Sequence, residues 1–134
     1  MPGKTKTVLV VDDDPTMVRL ASKLLLNDGY KVLEALNGSQ ALALAGEHLP
    51  DCVLLDVLMP DIDGREVARR LRQDQRTAKI PIVFMTVTID LKVDKGDQSV
   101  SVDSFEFRGF AKPIHNRKIL SVIRKEINKS IHGN

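Results

Sequence analysis

Val8-Leu9-Val10-Val11 is an unbroken apolar run with β-branched Thr5 and Thr7 just before it. A short run without polar alternation suits a strand covered on both faces, as in a parallel sheet between helices. It ends in Asp12-Asp13-Asp14-Pro15, where Asp14 can cap a helix and Pro15 fits the first helical position. Met17, Leu20, Ala21, Leu24 and Leu25 then recur at helical spacing until Asn27-Asp28-Gly29 stops the helix. The unit repeats. Residues 30–35 read as a strand, Asn37-Gly38 as a turn, and residues 39–48 as a helix on Ala41, Leu42, Leu44 and Ala45. Residues 52–56 form a second apolar strand ending in a carboxylate, followed by the loop Met59-Pro60-Asp61-Ile62-Asp63-Gly64. Residues 65–72 read as a helix with Val67, Ala68 and Leu71 inward, and residues 81–86 as a third apolar strand. Phe110-Ala111 leads a short strand into Lys112-Pro113, and Asn116 caps a last helix carrying Ile119, Leu120, Ile123 and Ile127.

Strands alternating with helices predict βαβ units and a parallel sheet with right-handed crossovers. One region breaks the rhythm. Between Thr86 and Lys112 the expected helical pattern is missing. Leu91 and Val93, Val100 and Val102, and Phe105 and Phe107 instead alternate with polar residues. Asp94-Lys95-Gly96-Asp97 has the composition of a tight turn. Residues 89–102 are therefore expected to form a hairpin or extended loop in place of a helix, the alternative being a loop with no fixed structure.

With 134 residues the chain is one domain's worth, and 43% hydrophobic and 28% charged residues are ordinary for a globular protein. No apolar run approaches the roughly 18 residues of a membrane span. MPGKTKT lacks the apolar core of a signal peptide, and a single cysteine, Cys52, allows no internal disulfide, so a reduced, cytoplasmic protein is expected. A net charge of +2 is too small to argue for nucleic acid. The last helix carries Arg117, Lys118, Arg124, Lys125 and Lys129 against the single acid Glu126, which reads as a solvated basic face.

In an open parallel sheet, functional groups collect beyond the carboxyl ends of the strands. Asp12 and Asp13 end the first strand, Asp56 the third, Thr86 the fourth, and Lys112 follows the last. Three crowded carboxylates repel one another, and a divalent cation relieves that repulsion. Mg²⁺ suits them because it takes oxygen ligands and keeps several waters. An ammonium and a hydroxyl opposite would complete a site for a phosphoryl group.

LVVDDDP, DCVLLDVLMPDIDG, PIVFMT and FAKPI, in this order and at these strand ends, resemble the receiver domain of two-component response regulators. The resemblance covers about residues 6–130, and residues 1–134 are expected to be a single receiver domain with no output domain. It implies a flavodoxin-like, doubly wound α/β fold with five parallel strands in the order 2-1-3-4-5, the fourth helix being replaced or disordered here. It implies that Asp56 takes a phosphoryl group from phosphohistidine on a sensor histidine kinase or phosphotransfer protein, forming an acyl phosphate. Asp13, Asp56 and the backbone carbonyl of Leu58 would bind Mg²⁺ directly, and Asp12 through water. Lys112 and Thr86 would each hold a phosphoryl oxygen, Thr86 carrying the switch, and the Lys112–Pro113 peptide would be cis. Such a protein relays information to a downstream protein. Apart from its own phosphorylation and dephosphorylation at Asp56, steered by Leu58 and Thr88 beside the site, it is not an enzyme.

The chain departs from the family's pattern at Val87, where a small residue is usual, and at Gly109, where an aromatic is usual. A β-branched Val87 should narrow access to the site. Residues 88–108, on the face by which many receivers signal, are expected to be ordered or repacked by phosphorylation. Two other functions fit parts of the sequence. One is a binding module that works without phosphorylation. The other is a haloacid-dehalogenase-type phosphatase, for which Asp12-Asp13-Asp14-Pro15-Thr16 supplies a nucleophile in Asp12 and an acid/base in Asp14.

Overall fold

The computed structural model describes residues 5–86, 92–94, 97–102, 105–111 and 118–131, with side chains for 5–85 and 119–130. Four strands, Thr7–Val11 (β1), Lys31–Ala35 (β2), Cys52–Asp56 (β3) and Ile82–Thr86 (β4), alternate with three helices, Pro15–Asn27 (α1), Gly38–His48 (α2) and Gly64–Gln73 (α3). Three further strands follow, Lys92–Asp94 (β5), Asp97–Val102 (β6) and Phe105–Ala111 (β7), and then a final helix, Lys118–Ile131 (α4). All strands join one sheet in the order β2-β1-β3-β4-β7-β6-β5.

The first five positions, β2-β1-β3-β4-β7, are parallel throughout, so β7 takes the fifth place of the expected 2-1-3-4-5 order. Beyond these five, β6 and β5 extend the sheet, so that among the described residues it has seven strands. Of the hairpin expected over residues 89–102, the described residues 92–94 and 97–102 pair antiparallel, with Asp94 opposite Asp97, and residues 89–91 and 95–96 lie outside the described residues. Its second strand pairs antiparallel with β7 from Val102↔Phe105 to Ser99↔Arg108. Alternation made the hairpin legible. Its attachment to β7 depends on register and lengthens β7 to seven residues, well beyond the Phe110-Ala111 expected from the sequence.

The apolar runs are buried on both faces for the expected reason. Leu9, Val11, Val53, Leu55, Ile82 and Phe84 point to one face and pack with Ala41 and Ala45 of α2 and Val67, Ala68 and Leu71 of α3. Val8, Val10, Cys52, Leu54, Val83 and Met85 point to the other and pack with Val18, Ala21 and Leu25 of α1 and Ile119, Ile123 and Ile127 of α4. Burial pushes the Cys52 thiol well above its usual range, which leaves it a small apolar core residue.

Local chemistry sets the helix ends. Asp14 accepts a hydrogen bond from Thr16 N at 2.9 Å and Pro15 opens α1, as the sequence predicts. Asp63 caps α3 by accepting from Arg65 N at 2.7 Å. Glu66 then pairs with Arg69 and, at 3.0 Å, with Arg70 on the same helix. Arg124 on α4 bridges to Asp28 beyond α1 at 3.1 Å. No helix among the described residues is long and apolar enough to cross a membrane.

Candidate functional site

The carboxyl ends of β1 and β3 lie side by side. Val11 pairs with Leu55, so Asp12 and Asp56 stand at the same level of the sheet. Asp12 and Asp56 are buried and Asp13 is exposed. One carboxylate oxygen from each of the three lies within 4.8 Å of the others. Asp12 is held from both sides: its N–H donates to Ala35 O at 3.1 Å, and its Oδ1 accepts from Asp14 N at 3.0 Å.

The donor set fits Mg²⁺. All three donors are hard oxygens, and opposite ligands on one such ion are about 4.2 Å apart, twice the metal–oxygen distance. Donor oxygens that all lie within 4.8 Å of one another are close enough together to share one such ion.

Met85 pairs with Asp56, and Thr86 is therefore one residue past the level of Asp56 on the neighbouring strand. Thr86 in turn pairs with Ala111, the residue before Lys112. The backbone thus brings the end of β4 beside the acidic cluster. The Thr86 side chain, Val87, Thr88, Lys112, the Lys112–Pro113 peptide and Asn116 lie outside what the structure describes. Leu58 follows Asp56 by two residues in the loop from β3 to α3, and its side chain is half exposed. Asp14, the acid/base of the phosphatase alternative, is turned toward the first turn of α1.

Two residues that shape the site, Gly64 and Asp61, escaped sequence reasoning. Gly64 begins α3 directly beneath β3. A Cβ there would sit 2.0 Å from Asp56 O and 2.9 Å from Val57 Cα, so only glycine allows this approach. Its N–H donates to Val57 O at 2.7 Å and closes the loop that follows the acidic strand. Asp61 accepts from Gly38 N at 2.9 Å and from Ser39 N and Oγ at 3.0 Å. These amide donors hold the Asp61 carboxyl below the usual carboxylate range. In the sequence both residues look like ordinary turn formers, and no local signal marks them as contacts of β3 or α2.

Comparison with known proteins agrees with this geometry. Residues 8–124 match the response regulator receiver domain family. The chain is 38% identical over 117 residues, 87% of its length, to the response regulator PleD of Caulobacter vibrioides, and spans 25% of that protein. It is 40% identical over 88 residues to protein PilH of Pseudomonas aeruginosa, covering 66% of this chain and 72% of PilH. Among solved structures, a putative response regulator from Chloroflexus aurantiacus superposes with a TM-score of 0.76 at 28% identity, covering 93% of this chain and 99% of that one. The receiver domain of the Pseudomonas aeruginosa sensor histidine kinase PA1611, solved with a magnesium ion in its active-site cleft, shares the fold at a TM-score of 0.76 and 23% identity, with 93% and 99% of the two chains covered.

Proposed function

Because the chain belongs to the response regulator receiver domain family, we propose that it is a Mg²⁺-dependent phosphoacceptor of a two-component or phosphorelay system, working in the cytoplasm. The observation that carries this reading is the convergence of Asp12, Asp13 and Asp56 within 4.8 Å at the carboxyl edge of the sheet. Nothing in the packing of β1 or β3 requires three acids there, and two of them are buried.

An Asp56 carboxylate oxygen attacks the phosphorus of a phosphohistidine on a sensor histidine kinase or phosphotransfer protein. The P–N bond breaks, the imidazole leaves, and an acyl phosphate remains on Asp56. Asp13, Asp56 and the Leu58 carbonyl would hold the cation, with Asp12 acting through a water. When bound, the ion offsets the repulsion between acceptor and phosphoryl oxygens. Lys112 neutralises a second phosphoryl oxygen and the Thr86 hydroxyl bonds a third, which links the chemistry to β4 and the strands beyond it. Water later attacks the phosphorus and restores Asp56. These self-directed reactions are the only catalysis assigned, and the output is a switched surface that binds a downstream protein.

Intact mass after incubation with acetyl phosphate and Mg²⁺ tests this. One phosphoryl group should appear on the wild type and none on Asp56→Asn. If the wild type gains nothing from either the small donor or a phosphorylated kinase, the phosphorylation-independent binding module replaces this reading.

A further inference from the structure

The loop after Asp56 is fastened at two places. Gly64 seats its far end against the backbone of Asp56 and Val57. Its middle is held by Asp61, which reaches the first turn of α2. The four N–H groups at the start of that helix are all satisfied. Asn37 Oδ1 takes Gln40 N at 2.8 Å and Asn37 O takes Ala41 N at 3.1 Å. Asp61 takes the other two, Gly38 N and Ser39 N, from 23 and 22 residues away. A helix can be capped by its own neighbours, as Asn37 does here. A carboxylate brought from the loop behind Asp56 ties two separate segments together as well.

The contact is close. A Cβ on Gly38 would lie 2.9 Å from Ile62 Cβ and 3.1 Å from Ile62 O, so the loop rests directly on the helix start. Asp61 itself is exposed and contributes nothing to either core cluster. Leu58 lies between Asp56 and this clamp.

We infer that Asp61 is a positioning residue for the metal site, clamping the loop to α2 so that the Leu58 carbonyl is held ready for the cation gathered by Asp12, Asp13 and Asp56. The inference rests on the receiver reading above. Partners that orient a ligand from outside the coordination sphere usually change metal affinity by about 10–100-fold when removed.

The test is Mg²⁺ affinity of the unphosphorylated chain by calorimetric titration, with urea unfolding run in parallel, for wild type, Asp61→Ala, Asp61→Asn and Asn37→Ala. Asp61→Ala should weaken Mg²⁺ about tenfold. Asn37→Ala removes a cap from the same helical turn, so it should lose comparable stability yet bind Mg²⁺ like the wild type. Asp61→Asn keeps one acceptor oxygen for the two N–H donors and sets its NH2 against the other, so its affinity should fall between wild type and Asp61→Ala. The inference is overturned if Asp61→Ala binds like the wild type, or if Asn37→Ala weakens binding as much. Should Asp61→Ala fail to fold, Asp61→Asn against Asn37→Ala decides, with a partial loss of affinity expected in the former and none in the latter. A wild type that binds no Mg²⁺ would instead remove the metal reading itself.

Discussion

The sheet has two parts built on different rules. From β2 to β4 every strand is parallel, and β1, β3 and β4 bury alternate residues against helices on both faces. From β7 to β5 the strands are antiparallel, follow one another through short connections, and end in a three-residue edge strand. The first part is doubly covered and carries the acidic cluster at its carboxyl edge. In the second, β5 and β6 occupy the stretch between β4 and β7 where the sequence lacks the expected helical pattern. A parallel strand needs a crossover and a cover on each face, so its neighbours are committed by packing. A hairpin carries its own partner and can be added at an edge without disturbing that packing.

Amide exchange should separate the two parts most sharply. Amides of β1 and β3 should exchange only on global unfolding, and those of β5 and β6 through local opening, on the order of a thousandfold faster. On addition of beryllofluoride as a phosphoryl mimic, protection should rise in residues 92–111 and stay unchanged in β1 and β2. Uniform protection across the sheet would break the comparison, and an unresponsive hairpin would remove it from the switch.

A smaller effect is expected from the core between the two parts. Phe84 is fully buried, packs with α3's cluster and lies opposite Gly109 of β7. Phe84→Ala should cost about 3–5 kcal/mol in urea unfolding. A loss much below this would mean that β4 is not the shared wall described here. The smallest effect concerns the link from α4 to Asp28. The Arg124–Asp28 pair is 3.1 Å long, but the arginine is largely exposed. Arg124→Ala should therefore change stability by less than about 1 kcal/mol, and less still in high salt.

Much of this was legible along the chain. Cys52–Asp56 has the boundaries its apolar run predicts, and α1 starts at Pro15 behind Asp14 as the capping residues require. The acids Asp12, Asp13 and Asp56 were legible because parallel strands bring their carboxyl ends to one edge, so residues 43 positions apart could be predicted as neighbours. The turn chemistry around Gly96 disclosed a hairpin. It did not disclose that β6 would pair with β7, because alternation fixes a strand's faces and says nothing about which edge it joins. Thr86 was placed at its strand end correctly as far as the backbone goes. Gly64 and Asp61 were passed over because each works through a contact distant in sequence.

The sequence by itself determined the alternation of strands and helices, the two-faced burial of β1, β3 and β4, the caps of α1, and the identity of the acids at the site. Each of these follows from periodicity or from interactions within a few residues. Only the tertiary structure decided that the sheet continues past β7, that Gly64 lies against the Asp56 backbone, and that Asp61 binds the start of α2. Those depend on register and on close approach between segments. Both are set by how the layers pack, and neither leaves a local pattern in the residues that carry it.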